Sequence, residues 1–254
     1  MLEISGLAVN YGYVRALTGV DITVKKGEII SLIGGNGAGK TTTLMAVSGL
    51  VEKQQGRIRF KDKDITRMAP DKIVQMGLAH VPEGRKIFPG LTVYENLIAG
   101  TVGNPKLNKQ QIQGLMEENF KLFPRLKERL QQGGGSLSGG EQQMLAIARG
   151  LMMAPDLVML DEPMAGVNPA LKQSLLDHIM ALREEGTTVL FVEHDINMVR
   201  HIADWVTVMA EGKIVAEGQP KSVMNDPAVI DAYLGAHANV DLGDDSVLED
   251  LKEA

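Results

Sequence analysis

The sequence Gly34-Gly35-Asn36-Gly37-Ala38-Gly39-Lys40-Thr41 decides the fold of this 254-residue chain. It matches the pattern G-x-x-x-x-G-K-[ST], follows the apolar run at residues 29–33 and precedes a predicted helix at 40–48. Glycines let successive backbone N–H groups point at phosphate oxygens, and the start of a helix adds a positive dipole. The stretch therefore predicts a phosphate-binding loop at the carboxyl end of a buried strand, which is typical of an α/β core.

The chemistry of such a loop assigns roles to its last residues. Lys40 is expected to reach the β- and γ-phosphates of the ligand, and the Thr41 hydroxyl is expected to ligate Mg²⁺, which prefers oxygen ligands and bound phosphates. The candidate nucleotide-binding residues of the loop are Gly34, Gly35, Asn36, Gly37, Ala38, Gly39, Lys40, Thr41 and Thr42. A glycine-rich turn without a ligand is the alternative, and the strand-loop-helix setting disfavours it.

Two further apolar runs end in polar residues. Residues 157–160 precede Asp161 and Glu162, and residues 189–192 precede Glu193 and His194. Continuous apolar runs predict strands buried on both faces of a parallel sheet, whose carboxyl ends bind ligands. We expect Asp161 to hold Mg²⁺ through water and Glu162 to be the general base. The alternative, a solvated acidic turn, loses weight beside a phosphate loop.

The rest of the chain predicts a mixed architecture. Alternating residues near the N-terminus and at 57–60 indicate an antiparallel β layer, and Glu211-Gly212 predicts a hairpin between two late strands. About 120 residues separate the first two buried strands, too many for one crossover. A helical subdomain is therefore expected within about residues 84–155, with its clearest helices at 111–122 and 141–153.

Composition limits the classes of function. The chain has no cysteine, so disulfides and thiolate metal sites are excluded. No apolar run reaches the ~18 residues that span a bilayer, and the start of the chain lacks the features of a secretory signal, so a cytoplasmic location is expected. The net charge is -6, of which the acidic tail at 236–254 supplies -5, a balance that disfavours a nucleic-acid partner.

A second glycine motif lies at the start of the helix predicted at 141–153. It reads Leu137-Ser138-Gly139-Gly140-Glu141. It can be interpreted as an S-x-x-E capping box. A capping box does not require two glycines in the first turn, where they lower helix stability. Two exposed N–H groups at a helix start do suit an anion, so the motif also indicates a phosphate contact.

These motifs, in this order, resemble the ABC transporter ATPase family over most of residues 1–235. The family has a phosphate loop, an LSGGE-type signature, a strand ending in Asp-Glu-Pro and a later histidine. The resemblance implies an α/β fold of the P-loop NTPase type, with a mostly parallel sheet, an N-terminal antiparallel β layer and an inserted helical subdomain. It also implies ATP and Mg²⁺ as cofactors and ATP hydrolysis as the activity.

The resemblance implies how the site is shared. Two cassettes face head to tail, so that Ser138, Gly139 and Gly140 contact the nucleotide of the partner. Tyr11 is expected to stack on adenine, with a packed surface tyrosine as the alternative. His194 is expected to contact the γ-phosphate and orient water, although a lone histidine is more often structural.

Two positions depart from the family pattern. Glu83 stands where the family usually has glutamine, and Asn168 stands where many relatives have aspartate. Glu83 still offers an oxygen to Mg²⁺ or water but adds a negative charge near phosphate. Asn168 can still cap a helix and contact the opposite subunit, with altered hydrogen bonding across the interface.

Three stretches resemble the ATP-binding subunits of branched-chain amino acid importers. They are Val81-Pro82-Glu83-Gly84-Arg85, the stretch at 134–141, and Ala232-Tyr233-Leu234-Gly235. Those importers use two kinds of ATPase subunit. Most of this chain resembles the kind that carries Glu83, whereas residues 165–169 and 193–195 resemble the other. Transporters of urea, amides, aromatic acids or lipopolysaccharide remain alternatives.

The implied partners are a second ABC ATPase subunit, identical or different, transmembrane permease subunits and, indirectly, a substrate-binding protein. The permease would hold the chain at the inner face of the membrane. A small P-loop kinase would leave the signature helix unexplained, and a non-transport ABC protein would usually carry a coiled-coil insert or two cassettes. The tail is expected to be solvated; one amphipathic turn at 246–251 is the alternative.

Overall fold

A computed structural model of the chain describes residues 1–224, 226 and 229, without the side chains at 169–171 and 197. The strands are β1 (Leu2–Tyr11), β2 (Val14–Val24), β3 (Ile29–Ile33), β4 (Gln55–Phe60), β5 (Lys63–Asp64), β6 (Leu78–Val81), β7 (Leu157–Asp161), β8 (Thr188–Val192), β9 (Trp205–Ala210) and β10 (Lys213–Gly218). The helices are α1 (Lys40–Val47), α2 (Pro70–Gln75), α3 (Val93–Gly100), α4 (Lys109–Leu122), α5 (Pro124–Glu128), α6 (Gly139–Leu151), α7 (Pro169–Glu184), α8 (Ile196–Ile202) and α9 (Pro220–Val223).

The strands form two sheets. The first is antiparallel, in the order β2-β1-β4-β5, and confirms the predicted N-terminal layer. The second has the order β10-β9-β3-β8-β7-β6 and is parallel except for β10. Because β3, β8 and β7 are adjacent, the residues that follow them meet at one edge of the sheet.

The parallel sheet is covered on both faces. Every residue of β3, β7 and β8 is buried, as their continuous apolar sequences predict. Successive side chains point to opposite faces of a strand. Ile30 and Leu32 accordingly lie in a core with β1, β2 and α1, whereas Ile29 and Ile33 pack in a second core with α6.

Helices occupy much of the interval between β6 and β7. Helix α4 starts two residues before the predicted boundary, because the Asn108 side chain accepts the Gln111 N–H and caps it. Helix α6 starts at Gly139 rather than Glu141 and ends at Leu151. Helices α3 and α6 pack closely, since a Cβ on Gly100 would collide with the Arg149 carbonyl oxygen.

Some predictions fall beyond the described part of the chain. The stretch at 232–235 and the acidic tail at 236–254 lie outside it. The domain boundary at 235 therefore stays a prediction, and so do the subdomain limits at 84–155, which lie within the described residues. Within the described residues, none of the helices is both long and apolar enough to cross a bilayer.

Candidate nucleotide site

The phosphate loop joins β3 to α1, and its glycines are required by close contacts. Gly34, Gly37 and Gly39 have positive φ angles of 151°, 79° and 104°. A Cβ on Gly34 would collide with the Met209 carbonyl oxygen, and one on Gly39 would lie 2.6 Å from Leu17 Cδ2. Gly39 precedes α1 and brings no capping side chain, so the first N–H groups of the helix remain available to an anion.

Lys40 folds back over this loop. Its Nζ donates to the carbonyl oxygens of Gly34 and Gly35, at 2.8 and 3.0 Å, and only 7% of the residue is exposed. Burial lowers the pKa of Lys40, while Glu162 and Asp161 oppose that effect. An ammonium group has three donors, so one remains for a phosphate oxygen.

Thr41 and Asp161 are brought together although 120 residues separate them. The Thr41 hydroxyl donates to Asp161 Oδ1 at 3.2 Å, and the other carboxylate oxygen is buried without a hydrogen-bond partner among residues 1–224. Burial, together with the negative charges of Glu162 and Glu83, raises the pKa of Asp161 to about 6, although the Thr41 hydrogen bond opposes this shift. A buried oxygen left without a partner beside a hydroxyl is the setting that a bound cation would satisfy.

The Thr41 hydroxyl and the Asp161 carboxylate suit Mg²⁺ that is shared with phosphates better than they suit a metal ion whose ligands all come from the protein. The described residues contain no group of three or more His, Cys, Asp or Glu side chains placed to hold a metal ion. Mg²⁺ usually binds through one or two protein oxygens together with substrate phosphates and water. Thr41 and Asp161 fit such a site, next to the loop that would hold the phosphates.

Glu162 follows Asp161 in a backbone conformation that is rare for residues other than glycine. Its φ is 48°, and its N–H donates to the Val192 carbonyl oxygen at 3.0 Å. This turn leaves 22% of the Glu162 side chain exposed, with Oε2 3.8 Å from His194 Nδ1. Strain of this kind concentrates at functional sites, and here it orients the predicted base away from the sheet.

Glu193 joins the two strand ends, a role that the sequence did not reveal. It is 1% exposed, and its carboxylate accepts the N–H groups of Met164 and His194, both at 3.1 Å. Burial raises the pKa of Glu193, while these hydrogen bonds oppose the shift. An acidic residue directly after the apolar run at 189–192 was the available signal, because Asp161 occupies the same position after its own run.

The signature lies apart from the phosphate loop. The Ser138 hydroxyl accepts the Glu141 N–H at 3.4 Å, and the Glu141 carboxylate accepts the Ser138 N–H at 2.9 Å, which confirms the capping box. No hydrogen bond within residues 1–224 joins residues 138–140 to the phosphate loop. In the described part of the chain, the start of α6 and the phosphate loop are therefore not joined by hydrogen bonds.

The remaining predicted site residues lie on exposed loops and strand ends. Tyr11 ends β1 and is 47% exposed, and His194 is also exposed. Glu83 is exposed in the loop after β6, close enough to raise the pKa of Asp161. Asn168 is exposed, and its carbonyl oxygen accepts the Lys172 N–H.

Comparison with protein families decides among the classes of nucleotide-binding protein. The family model described as ABC transporter matches residues 17–165, more than half of the chain. The chain belongs to the ABC transporter family. It is thus an ABC ATPase, the ATP-binding subunit of a transporter, as the ordered motifs predicted. A second model, described as branched-chain amino acid ATP-binding cassette transporter, matches residues 213–239 of the cassette.

Curated relatives match the cassette over nearly its whole length. BraG of Pseudomonas aeruginosa, a high-affinity branched-chain amino acid transport ATP-binding protein, is 43% identical over 92% of this chain and 100% of its own. LivG of Methanocaldococcus jannaschii, a probable protein of the same kind, is 34% identical over 92% and 97%. LptB of Haemophilus influenzae, a lipopolysaccharide export ATP-binding protein, is 37% identical over 92% and 97%.

Solved structures confirm the fold of the cassette. The ADP conformation of MJ1267, an ATP-binding cassette of an ABC transporter, has a TM-score of 0.80 and 31% identity, covering 92% of this chain and 98% of that one. CbiO1 of Clostridium perfringens, part of the ABC transporter complex cbiONQ, has a TM-score of 0.78 and 28% identity, covering 100% and 98%. The predicted P-loop NTPase fold and the ability to bind nucleotide are thereby confirmed.

Proposed function

We propose that this cassette hydrolyses ATP to drive the uptake of branched-chain amino acids. The observation that carries the proposal is the match of residues 213–239 to the branched-chain amino acid model. The 43% identity to BraG supports it, and so does the resemblance of the stretch at 81–85 to that group. The substrate would be bound by other subunits, since the candidate site residues of this chain suit a nucleotide.

The site residues divide the work of hydrolysis. Bound Mg²⁺ would neutralise charge on the β- and γ-phosphates of ATP. The loop at 34–39 would hold the phosphates through backbone N–H groups, while Lys40 donates to them and Thr41, with Asp161, holds the metal. Glu162 would take the proton of the attacking water as it moves toward the γ-phosphate.

Neighbouring residues would orient these groups. His194 lies within 3.8 Å of Glu162 and would contact the γ-phosphate, fixed in place because Glu193 accepts its backbone N–H. Glu83 would offer an oxygen to Mg²⁺ or water, at the cost of one more negative charge near phosphate. Tyr11 is exposed at the C-terminal end of β1, where an adenine ring can stack on it.

Assembly is proposed to complete the site. The start of α6, with Ser138, Gly139 and Gly140, would contact the nucleotide of a second ABC ATPase subunit; no hydrogen bond among the described residues joins it to the phosphate loop of its own chain. Asn168 would lie at the same interface. Permease subunits would carry the substrate across the membrane and hold the cassette at its cytoplasmic face, as expected for a part of a transporter complex such as CbiO1.

The test of a shared site is the ATPase rate of the purified chain against protein concentration, with and without Mg²⁺. A rate per subunit that rises with concentration and requires Mg²⁺ supports two cassettes and a metal in each site. A rate independent of concentration, from a chain shown by mass measurement to be a monomer, would contradict the shared site. A rate unaffected by removal of Mg²⁺ would contradict the metal.

A second candidate function is lipopolysaccharide export, because LptB is 37% identical to this chain. Uptake of radiolabelled leucine by cells that lack the gene separates the two. We expect uptake to fall, to recover with the wild-type chain and to stay low with the Glu162→Gln variant. Normal uptake together with lipopolysaccharide retained in the inner membrane would favour the second candidate.

A further inference from the structure

Arg85 reaches across from the loop after β6 to the start of α6. Its Nη1 donates to Gln142 Oε1 at 3.2 Å. A Cβ built on Gly139 would lie 2.9 Å from Nη2 of Arg85, and one built on Gly166 would lie 3.1 Å from the same atom. The guanidinium therefore fills the space that side chains at these two glycines would need. One side chain thus joins three segments of the chain.

The loop that carries Arg85 is held in an unfavourable conformation. Arg85 and Lys86 have φ angles of 65° and 44°, values that residues with a Cβ rarely adopt. The Lys86 carbonyl oxygen accepts Arg149 Nη2 at 2.7 Å, which ties the loop to the last turn of α6. A conformation of this kind persists only where surrounding contacts fix it, and such sites are often functional.

The positive charge of Arg85 also lies where the dipole of α6 disfavours a cation. The amino end of a helix carries a partial positive charge, which disfavours a cation at that position. Arg85 nonetheless lies against Gly139, the first residue of α6. The Glu141 carboxylate in the same turn offsets part of this cost, and an anion bound at the helix end would offset more of it.

Arg85 lines the same cleft as the acidic residues of the nucleotide site. The cleft has a volume of about 550 Å³ and lies between the loop after β6, the start of α6 and the segment after β7. Glu83, Arg85, Gln142, Glu162 and Gly166 are among its lining residues. Arg85 therefore contacts the start of α6 and shares this cleft with Glu83 and Glu162, the acids proposed to act on ATP.

We propose that Arg85 is a positioning residue that sets the first turn of α6 relative to Glu83 and Glu162. The proposal rests on the proposed function, in which the start of α6 faces the nucleotide of a second cassette. Among the described residues, no hydrogen bond or ion pair joins Arg85 to the phosphate loop, so its loss would displace the signature without weakening nucleotide binding. Loss of the Arg85 side chain should thus lower the rate of ATP turnover while leaving the affinity for nucleotide unchanged.

The kinetic test compares Arg85→Ala with Lys86→Ala, a matched control that removes the same charge from the next residue of the loop. We expect Arg85→Ala to lower kcat about tenfold, the loss typical of one charge-assisted hydrogen bond. The Kd of a fluorescent ATP analogue should change by less than about twofold, because turnover rather than binding is affected. In the control Lys86→Ala, kcat and the Kd of the ATP analogue should both equal the wild-type values.

A double variant tests the route through Gln142. If Arg85 acts through this contact, Arg85→Ala combined with Gln142→Ala should be no slower than Arg85→Ala alone. Losses that multiply would show that the Gln142 contact does not carry the effect. A loss of affinity equal to the loss of kcat would overturn the positioning role altogether, as would an unchanged kcat.

A distance measurement reports position without relying on activity. Because the chain has no cysteine, spin labels can be attached at Gln113→Cys on α4 and Lys213→Cys on β10, both exposed. We expect Arg85→Ala to broaden the distribution of distances and Lys86→Ala to leave it unchanged. An unchanged distribution for Arg85→Ala overturns the inference, whereas absence of ATPase activity in the wild-type chain would overturn the proposed function instead.

Discussion

Replacing His80 by asparagine is expected to remove a pH dependence from the stability of the chain. His80 lies in β6, and its Nδ1 is 2.9 Å from the Ser48 hydroxyl at the end of α1. Its Nε2 is buried, without a hydrogen-bond partner in the part of the chain that the structure describes. Burial therefore lowers the pKa of His80 from 6.5 to about 4.

The sign and size of the effect follow from this shift. Since the pKa of His80 is lower in the folded state, the unfolded chain binds more protons between about pH 6.5 and pH 4. The free energy of unfolding therefore falls as the pH falls through this window. For these two pKa values, the loss between pH 7.5 and pH 5 is about 2 kcal/mol.

Urea unfolding at pH 7.5 and pH 5 measures the effect directly. The amide of His80→Asn can take the position of Nδ1 beside Ser48 but does not titrate. The difference in the free energy of unfolding between the two pH values should be smaller by about 2 kcal/mol in this variant than in the wild-type chain. His201→Asn, at an exposed histidine of α8, is the control and should keep the wild-type difference. An undiminished pH dependence in His80→Asn would refute the reasoning.

Three other substitutions test the site and the packing around it. Glu162→Gln is expected to lower ATP turnover by about 100-fold or more with binding retained, because an amide does not accept the proton of water. A wild-type rate in a single-turnover assay of this variant would exclude Glu162 as the base. Lys40→Ala should weaken ATP binding by roughly tenfold or more, since a charged donor to phosphate is lost, and unchanged affinity by calorimetry would contradict this. Gly100→Ala should lower the free energy of unfolding by about 1–3 kcal/mol, because its Cβ would collide with the Arg149 carbonyl oxygen. Denaturation would show no such loss for the control Gly114→Ala, which has open space around it.

Much of the fold was predictable because its signals are local. The continuous apolar sequences of β3, β7 and β8 predicted strands buried on both faces, and the phosphate loop after β3 and the acids after β7 and β8 predicted which edge of the sheet carries the candidate site. The predicted capping box at Ser138 is present, although α6 starts at Gly139, two residues before the predicted start at Glu141. Strand β6 was missed, since four residues with a histidine among them do not form a distinctive pattern.

The parts that could not be predicted depend on contacts between distant residues. The role of Glu193 depends on its carboxylate meeting the Met164 N–H, 29 positions earlier in the chain. The position of Arg85 depends on the space left by Gly139 and Gly166, which belong to separate segments. The left-handed conformation of Glu162 follows from how β7 ends beside β8, not from its own residue type.

The most direct test of a site shared between two cassettes is complementation between two inactive variants. Lys40→Ala disables the phosphate loop, and Ser138→Arg disables the signature. If each site takes its loop from one chain and its signature from the other, an equimolar mixture should regain about one quarter of the wild-type rate, because half of the dimers are mixed and each has one intact site. A mixture as inactive as either variant alone, at a concentration where the wild-type chain is active, would contradict the account.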